Sequence, residues 1–179
     1  MNTIEKLALQ GSFDTNHSAI LFNNRLLDVR NQHIRDIMSD NLHASCRMEH
    51  VATVCGIDFI NDARAGNLNA AWYSLESMIK PVVWVVNNVD AENGFEKIVP
   101  LLRKKVKAII LLGHTNNLPS VFSNYVERIY KAENIEHAVE LAYTVGTHGD
   151  AVLFSPAAGG YHEDYKQKGE TFSSAVKRL

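Results

Sequence analysis

The feature that most constrains this chain is a series of short, almost unbroken apolar runs set between amphipathic stretches. Val82-Val83-Trp84-Val85-Val86 has an apolar side chain at every position, and Lys107 to Leu112 at nearly every one. A strand with one wet face alternates apolar and polar residues; a run without alternation is buried on both faces. Ala151 to Phe154 repeats the pattern, and Ile57 to Ile60 and Arg128 to Tyr130 read as shorter strands. Between them lie helical spacings: Asn67 to Ile79 with Leu68, Ala71, Leu75 and Met78 on one side, Gly94 to Lys105, Leu118 to Tyr125, Ile135 to Val145 and Tyr165 to Leu179. Strand–helix alternation with doubly buried strands predicts an α/β fold, a doubly wound and mostly parallel sheet with helices on both faces.

The first 45 residues are different, and the stretch from there to Gly56 is short. Asn16 to Leu27 and Asn31 to Met38 read as helices, Lys6 to Gln10 as one short strand, and Val51 to Cys55 with Ile57 to Ile60 as a small hairpin or one bent strand around Gly56. This front piece has few large apolar residues per turn. It reads as the tail of a preceding domain rather than a domain of its own.

Charge and composition exclude several classes. Lys and Arg number 18 against 20 Asp and Glu, a net charge of -2, which gives no general affinity for nucleic acid. No apolar run approaches the roughly 20 residues that span a bilayer, and no apolar core follows the amino terminus. Membrane insertion and secretion are therefore not expected, and the expected location is cytoplasmic. Cys46 and Cys55 are too few for a disulfide framework. His43, Cys46 and His50 offer three donors at a spacing no zinc finger uses, so no metal site is expected. The chain has no P-loop, no G-x-G-x-x-G and no G-x-S-x-G.

In open α/β sheets ligands bind beyond the carboxyl ends of the strands. Three loops qualify. Asn61-Asp62-Ala63-Arg64-Ala65-Gly66-Asn67 feeds a helix amino terminus, where Asp62 or Asn67 serves as a cap or as part of an anion site. Asn87 to Gly94 is rich in acids and amides. Ser155-Pro156-Ala157-Ala158-Gly159-Gly160-Tyr161 is small enough for a ligand to approach the backbone.

These loops, in this order, resemble the Mur ligase family, and within it the branch that adds D-glutamate. Leu9-Gln10-Gly11 with Asn16-His17-Ser18-Ala19 resembles the end of the family's central domain. Cys46-Arg47-Met48-Glu49-His50-Val51 resembles H-R-x-E-x-V, and Asn61-Asp62 through Asn67 resembles N-D-S-K-A-T-N. Gly149-Asp150 through Ser155-Pro156-Ala157 resembles G-D-x-V-L-L-S-P-A, and Tyr165, Gly169 and Phe172 resemble Y-x-x-R-G-x-x-F. The resemblance implies a Rossmann-like carboxyl-terminal domain at residues 45–179, preceded at 1–44 by a short, mainly helical remnant of an ATP-binding central domain. That domain type carries the amino-acid substrate and closes over ATP, which activates a carboxylate as an acyl phosphate for attack by an amine.

By the same resemblance, Arg47, Asp62 and Asn67 would face ATP, and Arg64, Ser155, Gly160 and Tyr161 the amino acid. No residue of the chain would be catalytic by itself. ATP and Mg would belong to the full-length family enzyme, with none bound by this chain alone. D-glutamate and UDP-N-acetylmuramoyl-L-alanine would be met through the domains it lacks. Several positions depart from the pattern. Ala63, Arg64 and Gly66 replace the loop's Ser, Lys and Thr, Ala91 replaces the lysine of G-G-x-D-K-G, and Gly160 replaces a serine. Each charge-assisted hydrogen bond is worth about 1.5–3 kcal/mol. Losing three donors to a dicarboxylate costs about 4 kcal/mol or more, roughly a thousandfold in affinity. Two functions follow as expectations: part of a peptidoglycan-precursor ligase, or a non-catalytic, degenerate Mur-ligase-like domain acting as a binding or scaffold module.

Overall fold

The computed structural model describes residues 46–87, 95–113, 118–157 and 164–179. The expected strand Lys6 to Gln10 and helices Asn16 to Leu27 and Asn31 to Met38 lie outside the described residues. So does the assignment of 1–44 to a central domain.

The described elements are β1 (Glu49–Val54), β2 (Ile57–Asn61), α1 (Leu68–Ser77), β3 (Val82–Val86), a 3-10 turn (Phe95–Lys97), α2 (Val99–Lys105), β4 (Val106–Leu112), α3 (Leu118–Phe122), β5 (Ile129–Ala132), α4 (Ile135–Val145), β6 (Ala151–Phe154) and α5 (Tyr165–Val176). They form a six-stranded sheet in the order β1-β2-β6-β3-β4-β5. β1 is antiparallel to β2, so Val51 to Ile60 is a hairpin; the remaining pairs are parallel. The cysteine and glycine at its turn both take positive φ, Cys55 at 49° and Gly56 at 80°.

Each face of the sheet has its own core. Trp84, Ile109, Leu111 and Leu153 point to the side covered by Leu68, Ala71 and Leu75 of α1, Leu101 and Leu102 of α2, and Phe122 of α3. Phe59, Val83, Val85, Ile110, Val152 and Phe154 point to the side covered by Ala138, Val139 and Ala142 of α4 and Phe172, Ala175 and Val176 of α5. Phe154 stacks on Phe172 at 5.0 Å between centroids. This division explains the unbroken apolar runs: every residue of β3 and β6 is buried.

Topology follows from crossover handedness. From β2 through β5 the chain steps one way along the sheet; from β5 to β6 it steps back. Crossovers of one hand require the connecting helix to change face when the direction reverses. The helices do so between α3 and α4.

Four helices differ from the sequence reading. α1 spans Leu68–Ser77 rather than Asn67 to Ile79. Gly94 to Lys105 is not one helix: the 3-10 turn ends at Lys97 and α2 begins at Val99, with Pro100 in its first turn. Proline has no N–H to bond back one turn, so it is accommodated where that donor is not needed. α3 ends at Phe122 rather than Tyr125, and α5 ends at Val176, where Lys177-Arg178 offer no apolar face to extend it. β5 is shifted to Ile129–Ala132.

Candidate functional site

The parallel strands end together at one edge of the sheet. There β2 is followed by α1 on one face, while the neighbouring β6 is followed by α5 on the other. Adjacent strands whose following helices lie on opposite faces mark the usual position of a ligand in such sheets.

Asp62 stands at this point. Its backbone N–H donates to Phe154 O at 2.8 Å, which fastens the β2 loop to the end of β6. The residue is 3% exposed. Its Oδ1 accepts from the Met48 N–H at 3.3 Å, and its Oδ2 accepts from Ser74 Oγ on α1. Burial removes the carboxylate from water and raises its pKa to about 6; the bonds from Ser74 and Met48, the Arg47 charge and the nearby Ser155 hydroxyl act against that rise.

Arg47 is half-buried in the turn leading into β1. That turn is held in an unusual conformation, with positive φ on both sides of Arg47: 65° at Cys46 and 44° at Met48. Non-glycine residues adopt this region at a cost of about 1–2 kcal/mol each. Glu49 Oε2 compensates by accepting from the Cys46 N–H at 3.0 Å and from Asn61 Nδ2 at 3.4 Å. Asn61, fully buried, also donates to Gly169 O and Ser173 Oγ of α5, both at 3.2 Å, and its Oδ1 accepts from the Ala63 N–H. One amide thus joins β2, the Arg47 turn and α5. Gly169 is required here: a Cβ at this position would lie 2.4 Å from Cys46 Sγ.

Arg64 is anchored through its N–H to Cys46 O at 3.2 Å, and its guanidinium lies over the Tyr165 ring at 5.8 Å. Asn67 is exposed and caps α1, its Oδ1 accepting from Ala70 N–H at 2.9 Å. Ser155 follows β6 directly. Its N–H donates to Val85 O at 3.1 Å and its carbonyl accepts from Trp84 Nε1 at 3.0 Å. Ala157 takes φ 50° and ties the two loops together by donating to Ala65 O at 2.9 Å. Gly160 and Tyr161 lie outside the described residues.

Of the residues expected at the site, then, Arg47 and Ser155 lie close enough to Asp62 to act on its carboxyl, Arg64 lies two residues along the same loop with its guanidinium over Tyr165, and Asn67 caps the helix leading away. Sequence reading passed over Asn61 as a scaffold residue and Ser74 altogether. The signal for Ser74 was present: it falls at the apolar spacing of α1, between Ala71 and Leu75, and a hydroxyl on a buried helix face needs a partner. A cavity of about 180 Å³ lies along the same edge, lined among others by Asn87, Leu112, Asn134, Phe154, Pro156 and Lys168.

No group of three His, Cys, Asp or Glu side chains able to hold a metal ion occurs among the described residues. Cys46 is buried and His50 Nε2 meets Thr53 Oγ1 at 3.1 Å. No helix among the described residues is long and apolar enough to cross a membrane.

Residues 46–158, from the Arg47 turn to the loop after β6, match the family described as Mur ligase, glutamate ligase domain. The chain belongs to the Mur ligase family. It is 38% identical over 178 residues to the UDP-N-acetylmuramoylalanine–D-glutamate ligase of Christiangramia forsetii, covering 97% of this chain and 40% of that protein. It is 35% identical over 179 residues to the enzyme of the same name from Porphyromonas gingivalis, covering 98% and 40%. The chain therefore spans about 40% of the length of these curated relatives.

Among solved structures, a murein peptide ligase from Psychrobacter arcticus matches with a TM-score of 0.52 at 12% identity, covering 75% of this chain and 30% of that one. UDP-N-acetylmuramate-alanine ligase from Thermotoga maritima matches with 0.51 at 12% identity, with the same coverage. At such identities these matches show the fold: the sheet and its helices are those of a Mur ligase domain.

Proposed function

We propose that this chain is the carboxyl-terminal, amino-acid-binding and ATP-closing part of an ATP-dependent carboxylate–amine ligase of peptidoglycan precursor synthesis, and that it does not catalyse on its own. The observation that carries the reading is the buried Asp62 carboxylate beside Arg47, where β2 and β6 end side by side. A fold selected for stability alone gains nothing by burying a carboxylate whose pKa rises to about 6. A fold that must accept a hydrogen bond from a ligand at that point does gain. Residues 1–44 are read as the end of the central domain and 45–179 as the carboxyl-terminal domain.

The residues present fit a nucleotide. Arg47 offers a cation to a phosphate, and Asp62 has acceptor capacity beyond its bonds to Ser74 and Met48. Asn67 sets the first turn of α1. ATP, bound with Mg in the complete enzyme, supplies the phosphoryl group that activates a carboxylate. On the amino-acid side, Arg64 presents a guanidinium held against Tyr165, a fork suited to a carboxylate. Ser155, Gly160 and Tyr161 are proposed as the chain's further contacts to the amino acid. D-glutamate and UDP-N-acetylmuramoyl-L-alanine are the substrates proposed for the complete enzyme, which is placed in the cytoplasm.

The test joins this chain to the P-loop and UDP-sugar domains of the Christiangramia forsetii relative and titrates ATP and D-glutamate calorimetrically. Binding of both is expected, with D-glutamate weakened by the missing loop donors. A folded chimera that binds neither overturns the ligase reading. It would favour the second one, a non-catalytic binding or scaffold module, which is supported by the small apolar residues Ala63 and Ala65 in the β2 loop, both buried at 3% exposure.

A further inference from the structure

Among the described residues, Ser155 Oγ is a buried side-chain polar atom with no hydrogen-bond partner. The residue is 0% exposed. A buried hydroxyl left unpaired is costly, and alanine at the same place would avoid the cost. The backbone does not need the hydroxyl: Val85 O, Trp84 Nε1, the Asn87 N–H to Pro156 O bond at 3.0 Å and the Ala157 N–H to Ala65 O bond already fix the segment. Asp62 is the group the hydroxyl acts on: it favours the carboxylate as a weak donor, at a geometry short of a full hydrogen bond.

We infer that Ser155 is a positioning residue for Asp62: its hydroxyl is a reserve donor that secures the carboxylate when Asp62 accepts from a bound ligand. The inference rests on the reading of Asp62 as a ligand acceptor. A carboxylate offers about four acceptor positions. Ser74 and the Met48 N–H use two, the second at a long 3.3 Å. A ligand donor takes a third, and only an ionised Asp62 serves all of them at once. Among the described residues the charge acting on Asp62 is Arg47, from the turn before β1; α1 presents Ser74 and β6 presents Ser155, neither of which titrates near neutrality. A third donor from β6 therefore changes how readily this carboxyl ionises without contributing a charge.

Two variants of the chain test this: Ser155→Ala and, to restore the hydroxyl, Ser155→Thr. The Asp62 carboxyl is titrated by carbon NMR in ligand-free protein, and stability is followed in urea. At pH 4, where Asp62 is protonated, Ser155→Ala is expected to be as stable as the wild type or more so, with Asp62 titrating at higher pH; Ser155→Thr, if it folds, returns the titration toward wild type. An unchanged Asp62 titration in Ser155→Ala overturns the inference, as does a loss of stability in that variant at pH 4, which would mark the hydroxyl as structural. In the chimera, Ser155→Ala weakens ATP binding about tenfold at pH 6 and less at pH 8. If the wild-type chimera binds no ATP, the ligase reading fails, while the ligand-free titration still decides the role of Ser155.

Discussion

The two edges of the sheet handle buried charge in opposite ways. At the amino edge, Asp150 Oδ2 accepts from Lys107 Nζ at 2.6 Å, from the Thr147 N–H at 2.7 Å and from Thr147 Oγ1 at 2.8 Å. Asp58 accepts from Lys80 Nζ and from Thr53 Oγ1. Although burial alone would raise both pKa values, these partners hold both carboxyls below the usual aspartate value. At the carboxyl edge, Asp62 has its pKa raised, Ser155 has no partner, and Cys46, Met48 and Ala157 all take positive φ. One edge pairs its carboxylates fully, and its one strained non-glycine residue, Cys55, closes the β1–β2 turn. The other keeps desolvated charge, an unused donor and three strained residues together, the combination found where a protein holds a ligand.

The comparison breaks most visibly at Asp150. Asp150→Ala leaves Lys107 and the Thr147 N–H without their acceptor, and is expected to cost about 3 kcal/mol in urea unfolding; a cost under 1 kcal/mol would mean that this edge is not the structural one. Next comes Gly169→Ala. Its Cβ would meet Cys46 Sγ at 2.4 Å and Asn61 Nδ2 at 3.0 Å, so a loss of about 2 kcal/mol is expected. A double-mutant cycle with Cys46→Ala should recover most of it, showing that α5 and the Arg47 turn are coupled through that contact. Asp58→Asn is the mildest, about 0.5 kcal/mol near neutrality, because its Lys80 partner is half exposed. The sign of its pH dependence is set by the lowered pKa: the wild type holds this stability above the unfolded value of 3.8 and loses it as pH falls through the lower folded value. Below that range the variant and wild type should converge.

How much of this could be read from the sequence depends on how local the cause was. β3, α4 and β6 were read with their observed bounds, because Val82–Val86 and Ala151–Phe154 are wholly buried strands and α4 lies between the cap Asn134 and Gly146. The break of the expected Gly94 to Lys105 helix at Ile98 was missed, although Pro100 marked it. The place of Asp62 at a strand end was legible from the end of the Ile57 to Ile60 run, and Arg47 was singled out because its segment resembled a family motif. Ser74, Asn61 and the missing partner of Ser155 were not legible. Their roles depend on contacts across 12 residues of chain for Ser74, 108 for Asn61 with Gly169, and on the packing of β3 against β6. Local pattern puts Ser74 on the buried face of α1 but names none of these partners.

The central claim is that Asp62 is kept buried for a ligand at a cost to the fold. The most direct measurement is the urea stability of Asp62→Asn against wild type at pH 4 and pH 8. A pKa raised from 3.8 to about 6 gives stability that is complete below 3.8 and lost as pH rises through 6. Removing the charge should therefore stabilise the protein at pH 8 by about 1–3 kcal/mol and change little at pH 4. An Asp62→Asn variant less stable than wild type at pH 8 would contradict the account, because the carboxylate would then be holding the fold together rather than waiting for a ligand.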